Sequence, residues 1–361
     1  MNRIRLVVLF GGRSAEHEVS CVTAVSVLRA LDPLRYEIVP VGITVDGRWV
    51  QATEAQRLLA NGAADALPAA LEASGEELEP FAAVAPAKAF ATETTVVFPL
   101  LHGPFGEDGT VQGLCELADV PYVGSAVLGS AAAMDKIVAK QLVAAAGLPV
   151  APYVGFRETP PAIDLGWPVF VKPANLGSSV GVNKAHDQAE LDAAVAEALR
   201  YDEWVIVEEA IAGREIECGV LGDREPQASL PGEVRPSRDF YDYQDKYEGG
   251  AAELLVPAPL DDGLTVEVQR LAIAAFQAVR AEGMARVDFF LEEGSRGLLV
   301  NEVNTIPGFT PISMYPRMWE ASGVPYPELL DRLVQLALDR HARRAGRVGR
   351  TRNARGAPPG R

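Results

Sequence analysis

Two short segments in the last third of the chain hold residue types that could bind metal and phosphate. Arg286-Val287-Asp288-Phe289-Phe290 and Val300-Asn301-Glu302-Val303-Asn304 interleave polar and apolar residues. Side chains on a strand point to opposite faces in turn, so Arg286 and Asp288 share a face, as do Glu302 and Asn304. The intervening Glu292-Glu293-Gly294-Ser295-Arg296 contains glycine and suits a hairpin. If the faces match, Asp288, Glu302 and Asn304 bring hard oxygen ligands to one place, which Mg²⁺ prefers when substrate phosphates complete its shell. Arg286 beside them would stabilise a transferring phosphoryl group or a tetrahedral oxyanion. Taken alone, the spacing equally fits a surface salt-bridge ladder.

A second candidate is Val169-Phe170-Val171-Lys172-Pro173, followed by Gly177-Ser178-Ser179-Val180-Gly181. A lysine ending an apolar strand needs a partner, and a Gly-Ser loop exposes backbone N–H groups that can cradle phosphate. A plain flexible turn remains the alternative, and no GxxxxGK[ST] loop occurs. Lysine is scarce, six against 27 arginines, which singles out Lys136 in Met134-Asp135-Lys136, although a solvated helix face would explain it too. A third candidate, Val205-Ile206-Val207-Glu208-Glu209-Ala210-Ile211, is an apolar strand running into acids. It suits a hinge where adenine bonds backbone groups and a carboxylate meets ribose, or it is an ordinary strand end.

Apolar periodicity outlines the elements that must position these residues. Ile4–Phe10 reads as a buried strand, Gly11-Gly12 as a turn, and the pattern through Leu31 as a helix, which together open an α/β unit. Strands are expected at 36–43, 94–100, 167–172, 204–208, 285–291 and 297–304, and another from Gly213 on. Helices are expected from Leu128 to Ala146 in one piece, at 190–201, at 264–282 and from Tyr326 to about Arg340. Residues 51–92 carry little pattern.

With 361 residues, 48% hydrophobic and 23% charged, the chain should form two or three packed domains. No apolar run approaches the ~18 residues that span a bilayer. The apolar stretch after Arg5 is too short for a signal peptide, so a cytoplasmic protein is expected. Cys21, Cys115 and Cys218 are widely spaced and read as buried small hydrophobes. The net charge of −16 argues against nucleic acid as a partner. Residues 340–361 hold eight arginines and no acid, so without them the charge falls from −16 to −24. That segment reads as a disordered basic tail.

Together these pieces, in this order, resemble the ATP-grasp superfamily. Three further segments narrow the resemblance to the D-alanine–D-alanine ligases. They are Gly11-Gly12-Arg13-Ser14-Ala15-Glu16-His17-Glu18-Val19-Ser20, Leu101-His102-Gly103-Pro104-Phe105-Gly106-Glu107-Asp108-Gly109-Thr110 and Phe240-Tyr241-Asp242-Tyr243-Gln244-Asp245-Lys246-Tyr247. Asn301-Glu302-Val303-Asn304-Thr305-Ile306-Pro307-Gly308-Phe309-Thr310 matches as well, and the similarity runs from residue 4 to about 338. The implied fold is α/β: an N-terminal doubly wound domain (1–124), a central small ATP-grasp lobe (125–212) and a C-terminal α+β ATP-grasp lobe (213–339).

The resemblance implies that ATP drives the joining of two D-alanines through a D-alanyl phosphate, for peptidoglycan precursor synthesis. By similarity, Lys136 and Lys172 hold ATP phosphates under the Ser178-Ser179 loop. Glu208, Ile211 and Glu215 contact the nucleoside, and Asp288, Glu302 and Asn304 bind two Mg²⁺ or Mn²⁺. Glu16 takes the ammonium of the first D-alanine, with His102 beside it. Arg286 and the Gly308 N–H serve the oxyanion, and Ser313 and Met314 line the second subsite. Tyr241, Lys246 and Tyr247 form a lid, with Tyr247, Ser178 and Glu16 hydrogen-bonded. A homodimer without membrane or nucleic-acid partners is implied. The Lys246-Tyr247 pair favours an amine over a lactate hydroxyl, and the apolar Met314 disfavours D-serine. Viewed without the resemblance, His102 could be structural, Glu16 a helix-dipole acid, and the Tyr-rich loop an interface patch. A regulatory nucleotide-binding module remains the rival from another class.

Overall fold

The computed structural model describes residues 3–85, 94–236, 252–310 and 312–347. The lid residues Tyr241, Lys246 and Tyr247 lie outside these.

The first sheet has strand order β4-β3-β2-β1-β5, with β1 Ile4–Gly11, β2 Tyr36–Ile43, β3 Trp49–Gln51, β4 Glu76–Leu78 and β5 Thr95–Pro99. β2, β1 and β5 run parallel, and β3 and β4 antiparallel. β1 is apolar and buried from Leu6 to Phe10 because both its faces are covered there. Leu6, Val8 and Phe10 pack with the helices His17–Ala30 and Tyr326–Ala345, while Val7 and Leu9 pack with Thr110–Leu117. At the C-terminal end of β1, a Cβ on Gly11 would lie 2.3 Å from the Ile43 carbonyl oxygen, and the φ of +85° also requires glycine. This turn brings Glu16 to the start of the following helix.

The second sheet is antiparallel, order β6-β9-β7-β8: β6 Tyr153–Arg157, β7 Val169–Pro173, β8 Asn183–Ala185 and β9 Trp204–Glu209. The helix Gln188–Ala198, capped by the Asp187 carboxylate on Glu190 N, covers one face. The third sheet, also antiparallel, runs β13-β12-β10-β14-β15, with β11 beside β10. Its strands are β10 Arg214–Gly222, β11 Gln227–Ala228, β12 Gly232–Arg235, β13 Glu253–Leu255, β14 Gly283–Glu292 and β15 Gly297–Asn304. Val268, Leu271, Ala275 and Phe276 of the helix Asp262–Ala278 bury its inner face.

Three expectations need correction. The continuous helix over 128–146 is two helices, Val127–Met134 and Lys136–Ala145. Asp135 is extended between them, and its carboxylate accepts from Ile137 N and Val138 N. Lys136 therefore stands at a helix start rather than on a solvated face. Within 51–92 there are short elements, including the helix Thr53–Ala60, that the weak pattern concealed. Finally, the basic tail does not begin at Arg340, because the last helix runs to Ala345. Arg340 is buried, donating to the Gly124 and Tyr122 carbonyls and lying over the Tyr122 ring. Arg343 pairs with Asp223, and Arg344 with Glu116 and Glu282. Seen as a string of arginines, this stretch looked solvated; the guanidinium groups of Arg340, Arg343 and Arg344 in fact have fixed acceptors. The three cysteines are free and buried, as read from their spacing.

Candidate functional site

The β14–β15 register joins the predicted polar residues directly: Asp288 opposes Glu302, and Arg286 opposes Asn304. A bulge follows, where Asn301 has no partner and the register of the rest of the hairpin shifts by one residue. Arg286 grips Asp288 with two bonds, Nε to Oδ1 at 2.7 Å and Nη2 to Oδ2 at 2.6 Å. Asn304 Nδ2 donates to Asp288 Oδ2 at 3.0 Å. β10 adds a carboxylate that the sequence reading passed over, Glu217, which opposes Asp288 and lies 3.1 Å from Arg286 Nε. Its signal was its position two residues after Glu215 on an alternating strand. Burial pushes the Asp288 carboxyl up to about 8, with Glu217 and Glu302 adding to the effect against Arg286. Burial disfavours the Arg286 charge too, yet Asp288 and Glu217 outweigh it and hold the guanidinium well above its ordinary value.

Among the described residues, no group of three or more His, Cys, Asp or Glu side chains could hold a metal ion by itself. Asp288, Glu302 and Asn304 contribute two carboxylates and an amide oxygen, a partial set that substrate phosphates would complete. Asp288 and Glu217 share the single Arg286 guanidinium, with Glu302 opposite Asp288 on β15, so acids outnumber the cation beside them. The donor set thus fits a divalent cation.

The second sheet presents the ammonium groups. Lys172 ends β7, and its Nζ sits 2.6 Å from Glu208 Oε2. Lys136 Nζ donates to the Leu176 carbonyl, and its backbone N–H to Ala174 at 3.0 Å. Burial, with Lys172 nearby, lowers the Lys136 ammonium. The Glu302 carboxylate acts on both lysines, so the second and third sheets face each other across one cleft. Glu208 differs from expectation. It is buried, and its other oxygen lies 2.8 Å from Lys140 Nζ, so both oxygens already have cations. Burial opposes its ionisation, but the two lysines outweigh this and pull it down to about 2. Ile211 falls in the β9–β10 connection, and Glu215 on β10 opposite Phe290.

The glycine-serine loop is folded onto the first sheet's residues. Ser178 Oγ donates to Glu16 Oε1, and a Cβ on Gly177 would lie 2.9 Å from Glu16 Oε2. Ser178 and Ser179 both adopt left-handed backbone, φ 49° and 58°. Two such non-glycine residues in a row are costly, a strain that clusters at ligand-binding loops. His102 is buried beside Glu16, with no hydrogen-bond partner on Nε2 among the described residues. Burial lowers its imidazole below the usual range despite Glu16. Glu107, unremarked within its motif, ties two segments together. It accepts from Gly103 N at 2.7 Å and from Ile306 N at 3.3 Å, and burial followed by the Glu16 charge raises it to about 8. Ser313 Oγ accepts from Thr310 N at 3.1 Å and lies where a Cβ on Gly308 would strike it, at 2.8 Å. Met314 packs with Val234 and Met318.

An α/β N-terminal sheet, followed by two antiparallel sheets that oppose lysines to a carboxylate hairpin, defines the ATP-grasp class of ligases. Known sequences narrow the class. The family described as "D-ala D-ala ligase N-terminus" matches residues 5–125, and "D-ala D-ala ligase C-terminus" matches residues 142–335. A D-alanine–D-alanine ligase from Kineococcus radiotolerans is 51% identical, covering 93% of this chain and 97% of that protein. One from Streptomyces griseus is 48% identical, covering 93% of each. The D-alanine–D-alanine ligase structure from Coxiella burnetii superposes with a TM-score of 0.77 at 36% identity, covering 95% of this chain and 97% of that one. A D-Ala:D-Ser ligase from Enterococcus faecalis gives 0.78 at 35% identity, covering 93% and 100%. The chain belongs to the D-alanine–D-alanine ligase family.

Proposed function

We propose that the protein is an ATP-dependent ligase that forms D-alanyl-D-alanine for peptidoglycan precursors. The observation that carries the residue assignment is the Asp288–Glu302 and Arg286–Asn304 register, set opposite Lys136 and Lys172. Lys136 and Lys172 hold the ATP phosphates, and Ser178 and Ser179 close over them. Ile211 and Glu215 meet the nucleoside; Glu208, flanked by two lysines, orients the cations instead of offering a free carboxylate to ribose. Asp288, Glu302 and Asn304 would hold the divalent cations, Mg²⁺ or Mn²⁺, which neutralise phosphate charge.

Glu16 receives the ammonium of the first D-alanine, and the neutral His102 lies alongside. That substrate's carboxylate takes the γ-phosphoryl group, which gives it a leaving group. The amine of the second D-alanine, its carboxylate at Ser313, then attacks the activated carbonyl and phosphate departs. Arg286 and the Gly308 N–H stabilise the oxyanion. The Tyr241–Lys246–Tyr247 lid would exclude the water that hydrolyses an acyl phosphate. Met314, fixed from behind by Val234 and Met318, favours an apolar second substrate over D-serine.

We read residues 1–124, 125–212 and from 213 on as the substrate domain and the two ATP-grasp lobes, with the third unit extended to Ala345. Among the described residues, no helix is long and apolar enough to cross a membrane; a cytoplasmic homodimer is the assembly we propose. Phosphate release with D-alanine as first substrate and D-alanine, D-lactate or D-serine as second tests the function. Release confined to D-alanine is expected, and preference for another second substrate overturns the specificity.

A further inference from the structure

We propose that Lys140 is a positioning residue for nucleotide binding: it remains as counter-ion to Glu208 and so lets Lys172 leave that carboxylate for the ATP phosphates. Glu208 sits between two ammonium groups of unequal exposure. Lys140 and Glu208 side chains are each 4% exposed, whereas Lys172 is 15% exposed and lines the cleft. Lys140 Nζ, 2.8 Å from Oε1, makes an ion-pair contact whose angles fall outside those of a hydrogen bond. Its charge, more than its direction, is what it brings. A lone ionised carboxylate in the interior is strongly disfavoured and takes a proton instead. Were Lys172 the sole cation, each nucleotide binding event would strip Glu208 of its partner. With Lys140 in place, Glu208 stays ionised whichever way Lys172 turns.

Among the described residues, Lys136 is the further cation that acts on Glu208, but its ammonium donates to the Leu176 carbonyl and is itself assigned to the ATP phosphates, and Tyr153, opposite Glu208 on β6, is uncharged. Glu302 and Glu215 act on Lys172 from the third sheet and are themselves acids. The inference rests on the assignment of Lys172 to the phosphates. Lys140 holds its place through the helix Lys136–Ala145, whose Asp135 cap fixes the first turn.

The test is calorimetric titration of a non-hydrolysable ATP analogue with Mg²⁺ at pH 7, in buffers of different ionisation enthalpy, to count protons taken up. Lys140→Met should take up about one proton more than wild type, and its affinity should fall about tenfold per pH unit as pH rises from 7 to 8. Lys140→Arg should restore the wild-type proton count. An unchanged count in Lys140→Met overturns the inference. Lys172→Ala separates the two readings: unchanged analogue affinity there refutes the phosphate assignment itself. Weakened affinity there, with no extra proton in Lys140→Met, refutes the Lys140 role alone. Should Lys140→Met fail to fold, Glu208→Gln and the double variant Lys140→Met/Glu208→Gln decide. Equal affinity within twofold is expected, and a further tenfold loss in the double variant overturns the proposal.

Discussion

Apart from Arg286 on the hairpin, two groups of buried or half-buried cations stand out in this molecule, and they are built from different amino acids. In the cleft they are lysines: Lys136, Lys140 and Lys172, gathered around Glu208 and the glycine-serine loop. At the end of the last helix they are arginines: Arg340 spans the Tyr122 and Gly124 carbonyls, and Arg344 bridges Glu116 and Glu282. A guanidinium is a rigid fork that fixes two acceptors at once; an ammonium is a compact charge on a flexible stem that can change partners. In a chain with 27 arginines and six lysines, the use of lysine at 136 and 172 marks where charge must be handed over, with Lys140 holding the balance behind them. The arginines at the helix end mark where two parts of the chain must stay put.

Exchanging roles between the two groups should break both. The largest effect is expected at the cleft: Lys172→Ala should lower turnover about 10²–10³-fold, the scale for removing one preorganised charge from a phosphoryl-transfer site. Lys172→Arg should recover little, and steady-state kinetics with ATP varied reads both. At the helix end, Arg340→Ala removes two charge-assisted bonds to buried carbonyls and should cost about 2–4 kcal/mol, roughly 3–10 °C in melting temperature. Arg340→Lys should regain less than half, while truncation after Arg347 should leave the melting temperature unchanged. A lysine that fully substitutes would end the contrast.

Smaller effects sharpen it. Ser178→Ala removes the bond that seats the loop on Glu16 and should reduce kcat/KM for D-alanine by about 2- to 150-fold, with stability nearly unchanged. Wild-type kinetics in that variant would detach the loop from substrate binding. The last concerns Glu107, raised from an ordinary 4.5 to about 8. The folded state keeps a proton that the unfolded chain has lost, so the stability Glu107 contributes is full below about pH 4.5 and is lost as pH rises through about 8. The ligand-free protein should therefore melt lower at pH 8 than at pH 5.5, and Glu107→Gln should flatten that difference. An identical slope in the variant would remove Glu107 as its source.

The hairpin was legible because alternation on a strand is a strict period of two, and Arg286, Asp288, Glu302 and Asn304 all obeyed it. Glu217 was equally in phase but stands on β10, and which strand pairs with which is a long-range fact that no local pattern contains. Glu107 and Lys140 escaped for a similar reason, since their partners Ile306 and Glu208 are distant in sequence. The break at Asp135 could have been read from its cap chemistry, but the apolar period on both sides masked it. The Arg340 region misled because composition reports charge without reporting acceptors.

The packing of the last helix also sets a timetable. Leu329, Leu330, Leu333, Val334 and Ala337 cover apolar residues of the first sheet, whose final strand ends at Pro99, while the helix begins at Tyr326. At about 5–20 residues per second, a ribosome needs roughly 10–45 s to travel between those points. Throughout that interval the helix His17–Ala30 covers part of the sheet's apolar face, and the part the last helix will cover stays bare. The growing chain thus carries this apolar patch in water for most of its own translation, and burial of the N-terminal domain is finished by the last helix to be made.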